Sequence, residues 1–401
     1  MSKKNRKWLV FTIMCLAYMP GSYAQYQLAV YAPELIQSFG LTTSQFSSLF
    51  TAPMIVAIFL SFVGGMISDK VGSKKVINIS FVIAGIGMIG RVFANSYMPF
   101  FLCMALTGFS NMFVNINASK ITASWFEQEK LGILMGIFAF CGQLPGAFAT
   151  ATTAVLFDSR TSAFIVSAIF CISVFVLWLL FVKDKPEDTM EEREKIDQEN
   201  QPSIGDSLKV VLSNKGIWLV SICIMMILGS TVTLSTFMPV ALQTMYGIDL
   251  KVCGTIASML TLGNCIGSIT GPIVFSKIKN VKVFVSGAAV LSFAGIIMCW
   301  RFPSIFVLHI LVLYTGIVLG ASMPIFLSAP VLLEGLGTKY AGSAAGVIST
   351  LQLLGAVLIP TYILTPIAGD NYSLLFMLAS ICMVIMFLCG LLLPQFGNNQ
   401  K

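Results

Sequence analysis

The chain of 401 residues is 57% hydrophobic and only 10% charged, with a mean hydropathy of +0.88. Charged residues make up about a quarter of an ordinary soluble domain, so this composition excludes a soluble enzyme and fits a polypeptide that faces lipid. The formal net charge of +7 gives no reason to expect a nucleic-acid partner, because the cations gather at one side of the predicted spans.

Apolar runs between charges and turn residues predict helices near 8–36, 43–68, 76–97, 98–125, 131–156, 161–182, 217–245, 251–276, 281–300, 303–333, 340–367 and 373–393. These are twelve spans, an all-α membrane protein of two six-helix bundles. With the N-terminus in the cytoplasm, the inside segments hold nineteen Lys and Arg residues and the outside segments four: Arg91, Arg160, Lys251 and Arg301. The positive-inside rule then puts both termini in the cytoplasm of a cell-membrane protein that crosses the bilayer many times. The first 24 residues resemble a signal peptide, with Lys3 to Lys7 before an apolar run and Ser22-Tyr23-Ala24 as a small-residue site. Cleavage is not expected, because it would remove a segment that has a counterpart in the second half.

The polar stretch from Lys183 to Ser207 holds nine of the 17 acidic residues. It reads as a solvated linker, 183–216, between an N-terminal bundle (1–182) and a C-terminal bundle (217–401), with a regulatory contact as the alternative. The two bundles are related. At an offset of 206, Pro33, Gln37 and Gly65 meet Pro239, Gln243 and Gly271; at 209 to 210, Gly132, Gly136, Gln143 and Gly146 meet Gly342, Gly346, Gln352 and Gly355. Such a duplication places a transport site between two halves at mid-membrane.

After span two comes Gly65-Met-Ile-Ser-Asp69-Lys70-Val-Gly72-Ser73-Lys74-Lys75. A tight glycine turn here would let Asp69, Lys70 and Lys74 pair across neighbouring helix ends and hold one gate state. The run resembles the loop signature between helices 2 and 3 of the major facilitator superfamily, G-x-x-x-D-[RK]-x-G-[RK]-[RK]-[RK], with Ser73 in place of a basic residue. The resemblance covers the whole chain and implies a twelve-helix secondary transporter, monomeric, without cofactor. Within that superfamily, SYAQYQLAVYAPEL resembles helix one of the oxalate/formate antiporter branch, whose Gln-Tyr pair helps to enclose the substrate; Gln25 and Tyr26 match it. The basic residues of that branch in helices eight and eleven are here Ser268 and Gln352. WFEQEKLGILMG, after span four, is similar to anion and monocarboxylate permeases.

No acidic residue is predicted at mid-membrane. Glu34 lies near the outer end of span one and the other acids fall in loops, which favours uniport or exchange over carboxylate-driven proton symport. The cations at depth, Arg91 and Lys120, either snorkel to an interface or attract an anion, with Lys120 the better anion candidate because Asn111, Asn115 and Asn117 share its helix. The solute site is expected from Tyr23, Gln25, Tyr26, Asn115, Lys120, Gln143, Thr233, Tyr314 and Gln352, since amides and phenols bind carboxylates and hydroxyls without a permanent charge. The ten cysteines form no CxxC pair and His309 stands alone, so no metal or catalytic site is expected. The partners are thus a small-molecule solute and the lipid bilayer, the solute being a small organic monoanion or other small polar metabolite. A proton-coupled exporter of amphipathic drugs and a non-transporting sensor are the alternatives.

Overall fold

The computed structural model describes residues 3–126, 128–182, 204–333 and 336–395. Its helices run α1 (Lys3–Val30), α2 (Ala32–Phe39), α3 (Thr43–Val71), α4 (Ser73–Phe93), α5 (Tyr97–Trp125), α6 (Gln128–Leu156), α7 (Arg160–Phe181), α8 (Ile204–Ser213), α9 (Lys215–Tyr246), α10 (Leu250–Ile278), α11 (Val281–Met298), α12 (Ile305–Ala321), α13 (Met323–Leu332), α14 (Gly337–Leu358), α15 (Thr365–Ala368) and α16 (Tyr372–Leu392). A π-helical turn, Ile359–Leu364, joins α14 to α15.

Ten helical stretches among the described residues are long and apolar enough to cross a membrane. With α1 and α6 they make the twelve predicted spans. In α1 the hydropathy is diluted by the cations at its start and by the Tyr, Gln and Ser residues of its second half.

Two predicted spans are each broken into a long and a short helix. Span one breaks at Tyr31, where Pro33 sits in the first turn of α2, and span ten breaks at Ser322, before Pro324 in α13. Proline lacks an N–H and clashes with the preceding turn, so a helix restarts there more easily than it continues. Pro20, Pro53, Pro145, Pro239 and Pro272 remain inside long helices, as packed neighbours allow in membrane proteins. Part of the expected linker is also helical: α8 buries Val211, and its Leu212 carbonyl accepts from the Trp218 indole at 2.8 Å. Residues 183–203 lie outside the described residues.

Some helix ends follow local rules. Thr42 and Gln45 form a reciprocal capping box at the start of α3. Ser159, Asn280 and Asn371 accept from backbone N–H groups at the starts of α7, α11 and α16. Between α3 and α4 the connection is Gly72 alone, at φ +95°, whose N–H donates to Ser68 O at 3.0 Å. Only glycine enters that region freely.

The chain divides into two compact units. The first holds α1–α7 together with Ser235–Thr261 from α9 and α10; the second holds α8, the beginning of α9 through Leu234, and the chain from Leu262 onward. In the first, Met14, Phe81, Phe138 and Trp178 share one core, while Phe59, Ile86, Phe93 and Leu180 are exposed, the arrangement expected where the solvent is lipid. In the second, α10 lies almost directly on the backbone of α12. A Cβ at Gly263, Gly267 or Gly271 would come within 2.0–2.4 Å of the carbonyls of Leu313, Ile317 and Ala321. Three glycines four residues apart make one bare stripe along α10, and small residues let membrane helices approach this closely.

Candidate functional site

The polar cluster of α1 fans out at 100° per residue toward different neighbours. Gln25 is buried and donates from Nε2 to Phe50 O on α3 at 2.8 Å. Tyr23 is buried against Phe170 and Phe148. Gln27 is fully buried and donates from Nε2 to Ala163 O on α7 at 3.2 Å. Ser22 and Tyr26, one turn apart, stay partly accessible.

Two glycines of α6 shape what remains open. Tyr18 stacks on Phe138, with centroids 4.7 Å apart, and covers Gly142, where a Cβ would lie 2.1 Å from its ring. Tyr26 covers Gly146 in the same way, at 3.0 Å, and stands edge-on to Phe50. Both glycines belong to the sequence Gly142-Gln143-Leu144-Pro145-Gly146, a close-approach spacing that sequence reasoning did not single out. A third close fit is Asn111 of α5 over Gly21; its amide oxygen accepts from Ser22 Oγ at 3.0 Å while its nitrogen donates to Tyr18 O at 3.1 Å.

Gln143 itself is exposed. It lies seven residues before Thr150, hence on the same face of α6. That face receives α10 within the first unit: a Cβ at Gly254 would lie 2.3 Å from Thr150 O. Phe46 of α3 and Phe237 of α9 pack edge-to-face in the same unit, 5.9 Å apart.

The second unit repeats the glutamine and glycine arrangement. Gln352 of α14 is half-buried and lies three residues before Gly355, where a Cβ would meet Met225 of α9 at 2.5 Å. Gln143 stands in the same relation to Gly146. Among the described residues, the side-chain amides of Asn115, Gln143 and Gln352 have no hydrogen-bond partner. Asn115 and Lys120 are exposed on α5.

Other candidates turn into the helix packing. Thr233 is fully buried, and its hydroxyl donates to Gly229 O at 2.8 Å. The Tyr314 phenol donates to Leu291 O on α11 at 3.4 Å. Arg91 does not snorkel: it is 1% exposed and lies among α1, α4, α5 and α7. Glu34 is half-exposed and pairs with Arg160 at 3.6 Å. Of the gate motif, Gly72 makes the one-residue turn described above and Lys74 opens α4; Gly65, Asp69 and Lys70 lie outside the residues whose side chains are described. No carboxylate is among the buried polar residues described, and no group of three or more metal-ligating side chains occurs among them.

A twelve-span helical chain with a repeated glutamine and glycine pattern in its two halves is the architecture of a membrane carrier. The family model of the Major Facilitator Superfamily matches residues 10–360, and the chain belongs to that family. It is 23% identical to a probable sulfoacetate transporter of Cupriavidus necator over 364 residues, covering 85% of this chain and 83% of that one. It is 22% identical to a galacturonate transporter of Dickeya chrysanthemi, covering 74% and 90%, and 24% identical to a membrane sensor protein of Salmonella typhimurium, covering 88% and 83%. In three dimensions it resembles a bacterial homologue of the human lysosomal transporter Spinster, in an inward-facing and unoccupied conformation, with a TM-score of 0.78 at 13% identity over 98% and 95% of the two chains. Membership is established for the superfamily as a whole; the finer likeness to the oxalate/formate branch rests on Gln25 and Tyr26.

Proposed function

We propose that this protein is a secondary transporter that moves a small organic monoanion across the cell membrane by alternating access, as a uniporter or exchanger. The observation that carries the reading is the twin arrangement of Gln143 and Gln352, each an amide without a protein partner three residues before a glycine that seats its helix. Gln143 is exposed and Gln352 half-buried, so both amides are accessible, and a solute carboxylate or hydroxyl can take the hydrogen bond that no described protein group makes. Tyr26, Asn115 and Lys120 are further accessible polar side chains of the first bundle, and Lys120 carries the charge complementary to an anion. The galacturonate named in one of the relatives is an anion of this kind, and the sulfoacetate named in another is a small organic anion with a second charge. No carboxylate is buried among the described residues, which speaks for uniport or exchange over proton symport.

The proposed membrane orientation has both termini in the cytoplasm, and residues 1–182 and 217–401 as the two bundles. Counterflow in vesicles containing the purified protein tests the function. Labelled galacturonate or sulfoacetate should accumulate against unlabelled internal anion, at a rate that does not collapse when the pH gradient is removed. Loss of uptake with the gradient would replace exchange by symport. The likeness to a membrane sensor protein gives a second reading, a receptor that binds the anion without moving it; binding without counterflow would select it.

A further inference from the structure

Arg91 is buried at the crossing of four helices of the first unit. Its Nη1 donates to Ala24 O at 2.9 Å, and Met104 Sδ lies 3.9 Å away. Its Nη2 donates to Gln27 Oε1 at 3.0 Å and to Ser167 Oγ. The guanidinium carbon lies 4.3 Å from the centroid of the Phe164 ring. Every one of these partners is neutral, and Nε has none. Hydrogen bonds to carbonyl and hydroxyl groups hold the guanidinium in place, but they do not cancel its charge.

This arrangement is unusual physically, because a buried cation is ordinarily offset by an acid. Gln27 stands where a glutamate of the same shape would meet the guanidinium. The chain therefore keeps a full positive charge within the membrane, on the packed side of α1. Ala24 and Gln27 face Arg91, whereas Ser22 and Tyr26 lie about 150° around the same helix, given 100° per residue. One helix separates the charge from the open face. In a low-dielectric interior, water and salt screen it little.

We infer that Arg91 is a specificity-determining residue, whose uncompensated charge makes the open face of the first unit prefer monoanions to neutral solutes of the same shape without touching the solute. The inference rests on the proposed anion reading and adds where its selectivity comes from. At a separation of about 10 Å and an effective dielectric of about 20, one unit charge alters anion affinity on the order of tenfold.

The test is to neutralise the charge while keeping the side chain in place. Gln27→Glu gives up the Nε2 bond to Ala163 O and puts a carboxylate beside Nη2, with the partnerless Nε available for a second, charge-assisted bond that offsets the loss; Ser167→Asp supplies a carboxylate from α7 should the first variant fail to fold. Galacturonate and galactose are matched probes, differing in a carboxylate against a hydroxymethyl group, and thermal shift and counterflow read their binding. The expected result is a loss of galacturonate affinity on the order of tenfold, with the galactose response unchanged and the melting temperature of the variant retained. A wild-type preference for galacturonate that survives in both variants overturns this inference and leaves the transport reading intact. A wild-type protein that binds galacturonate no better than galactose overturns the inference and the anion reading together.

Discussion

Tyr18 of α1 lies flat on Gly142 of α6, with its ring carbons where any Cβ at that position would have to be. Gly142→Ala therefore overpacks the crossing and should destabilise the protein by about 1–3 kcal/mol. Tyr18→Phe will not relieve it, because the clashing atoms belong to the ring, whereas Tyr18→Ala should restore the melting temperature toward that of Tyr18→Ala alone. Thermal unfolding in detergent, read as a double-mutant cycle, checks this.

Gly267 meets the carbonyl of Ile317, an atom of a helix backbone that cannot swing aside. Gly267→Ala should cost at least 2 kcal/mol, at the upper end of overpacking effects. Gly287→Ala, at a helical position with nothing within 4 Å, should instead stabilise by roughly 0.5–1 kcal/mol through helix propensity alone. Equal effects at the two positions would contradict the packing described for α10 on α12.

Gln143→Ala and Gln352→Ala remove no hydrogen bond to the described protein, so melting temperatures in the absence of solute should stay within about 0.5 kcal/mol equivalent of wild type. Each should weaken solute affinity by about 3- to 10-fold, the range of a single neutral hydrogen bond. Counterflow KM values and thermal-shift titrations give the comparison. Affinity unchanged in both variants would remove these residues from the site.

Glu34 pairs with Arg160 at 3.6 Å with half of its surface exposed. A surface ion pair of this kind contributes about 0–1 kcal/mol, so Glu34→Gln should shift the melting temperature little. Because this acid is already occupied in the first turn of α2, uptake by the variant should stay within about twofold of wild type, with and without a pH gradient. Abolished uptake would make Glu34 a proton carrier and end the uncoupled reading.

Gly72 at φ +95° is required by conformation. Both Gly72→Ala and Gly72→Asn should destabilise the protein by about 1–3 kcal/mol, since even asparagine gains little outside the compact left-handed region. Hydrogen exchange should localise the loss to the end of α3 and the first turn of α4.

Much of the fold was readable from residues. The apolar runs gave the spans, and the offsets linking Gln143 to Gln352 and Gly146 to Gly355 anticipated a relationship that both units display in their helix contacts. Hydropathy did not predict the breaks at Tyr31 and Ser322, because apolar residues continue through both sites and the stop depends on prolines two positions later. The site was less legible. Polar residues clustered in α1 look alike in sequence, yet 100° of rotation separates Gln25, which bonds to Phe50 O, from Tyr26, which lies on Gly146. Composition also did not distinguish Thr233 and Tyr314, whose hydroxyls are used in local and helix-to-helix bonds, from Gln143 and Gln352. The glycine stripe at 263, 267 and 271 was not singled out from the sequence, and spacing alone does not say which helix will lie on it.

The single-residue link at Gly72 leaves no slack between α3 and α4. The two helices share one pair of backbone torsions, and the last turn of α4 carries the guanidinium that grips Ala24 and Gln27. The joint at one end of α4 and the anchor to the first helix at the other thus leave this rod free to swing only about its glycine.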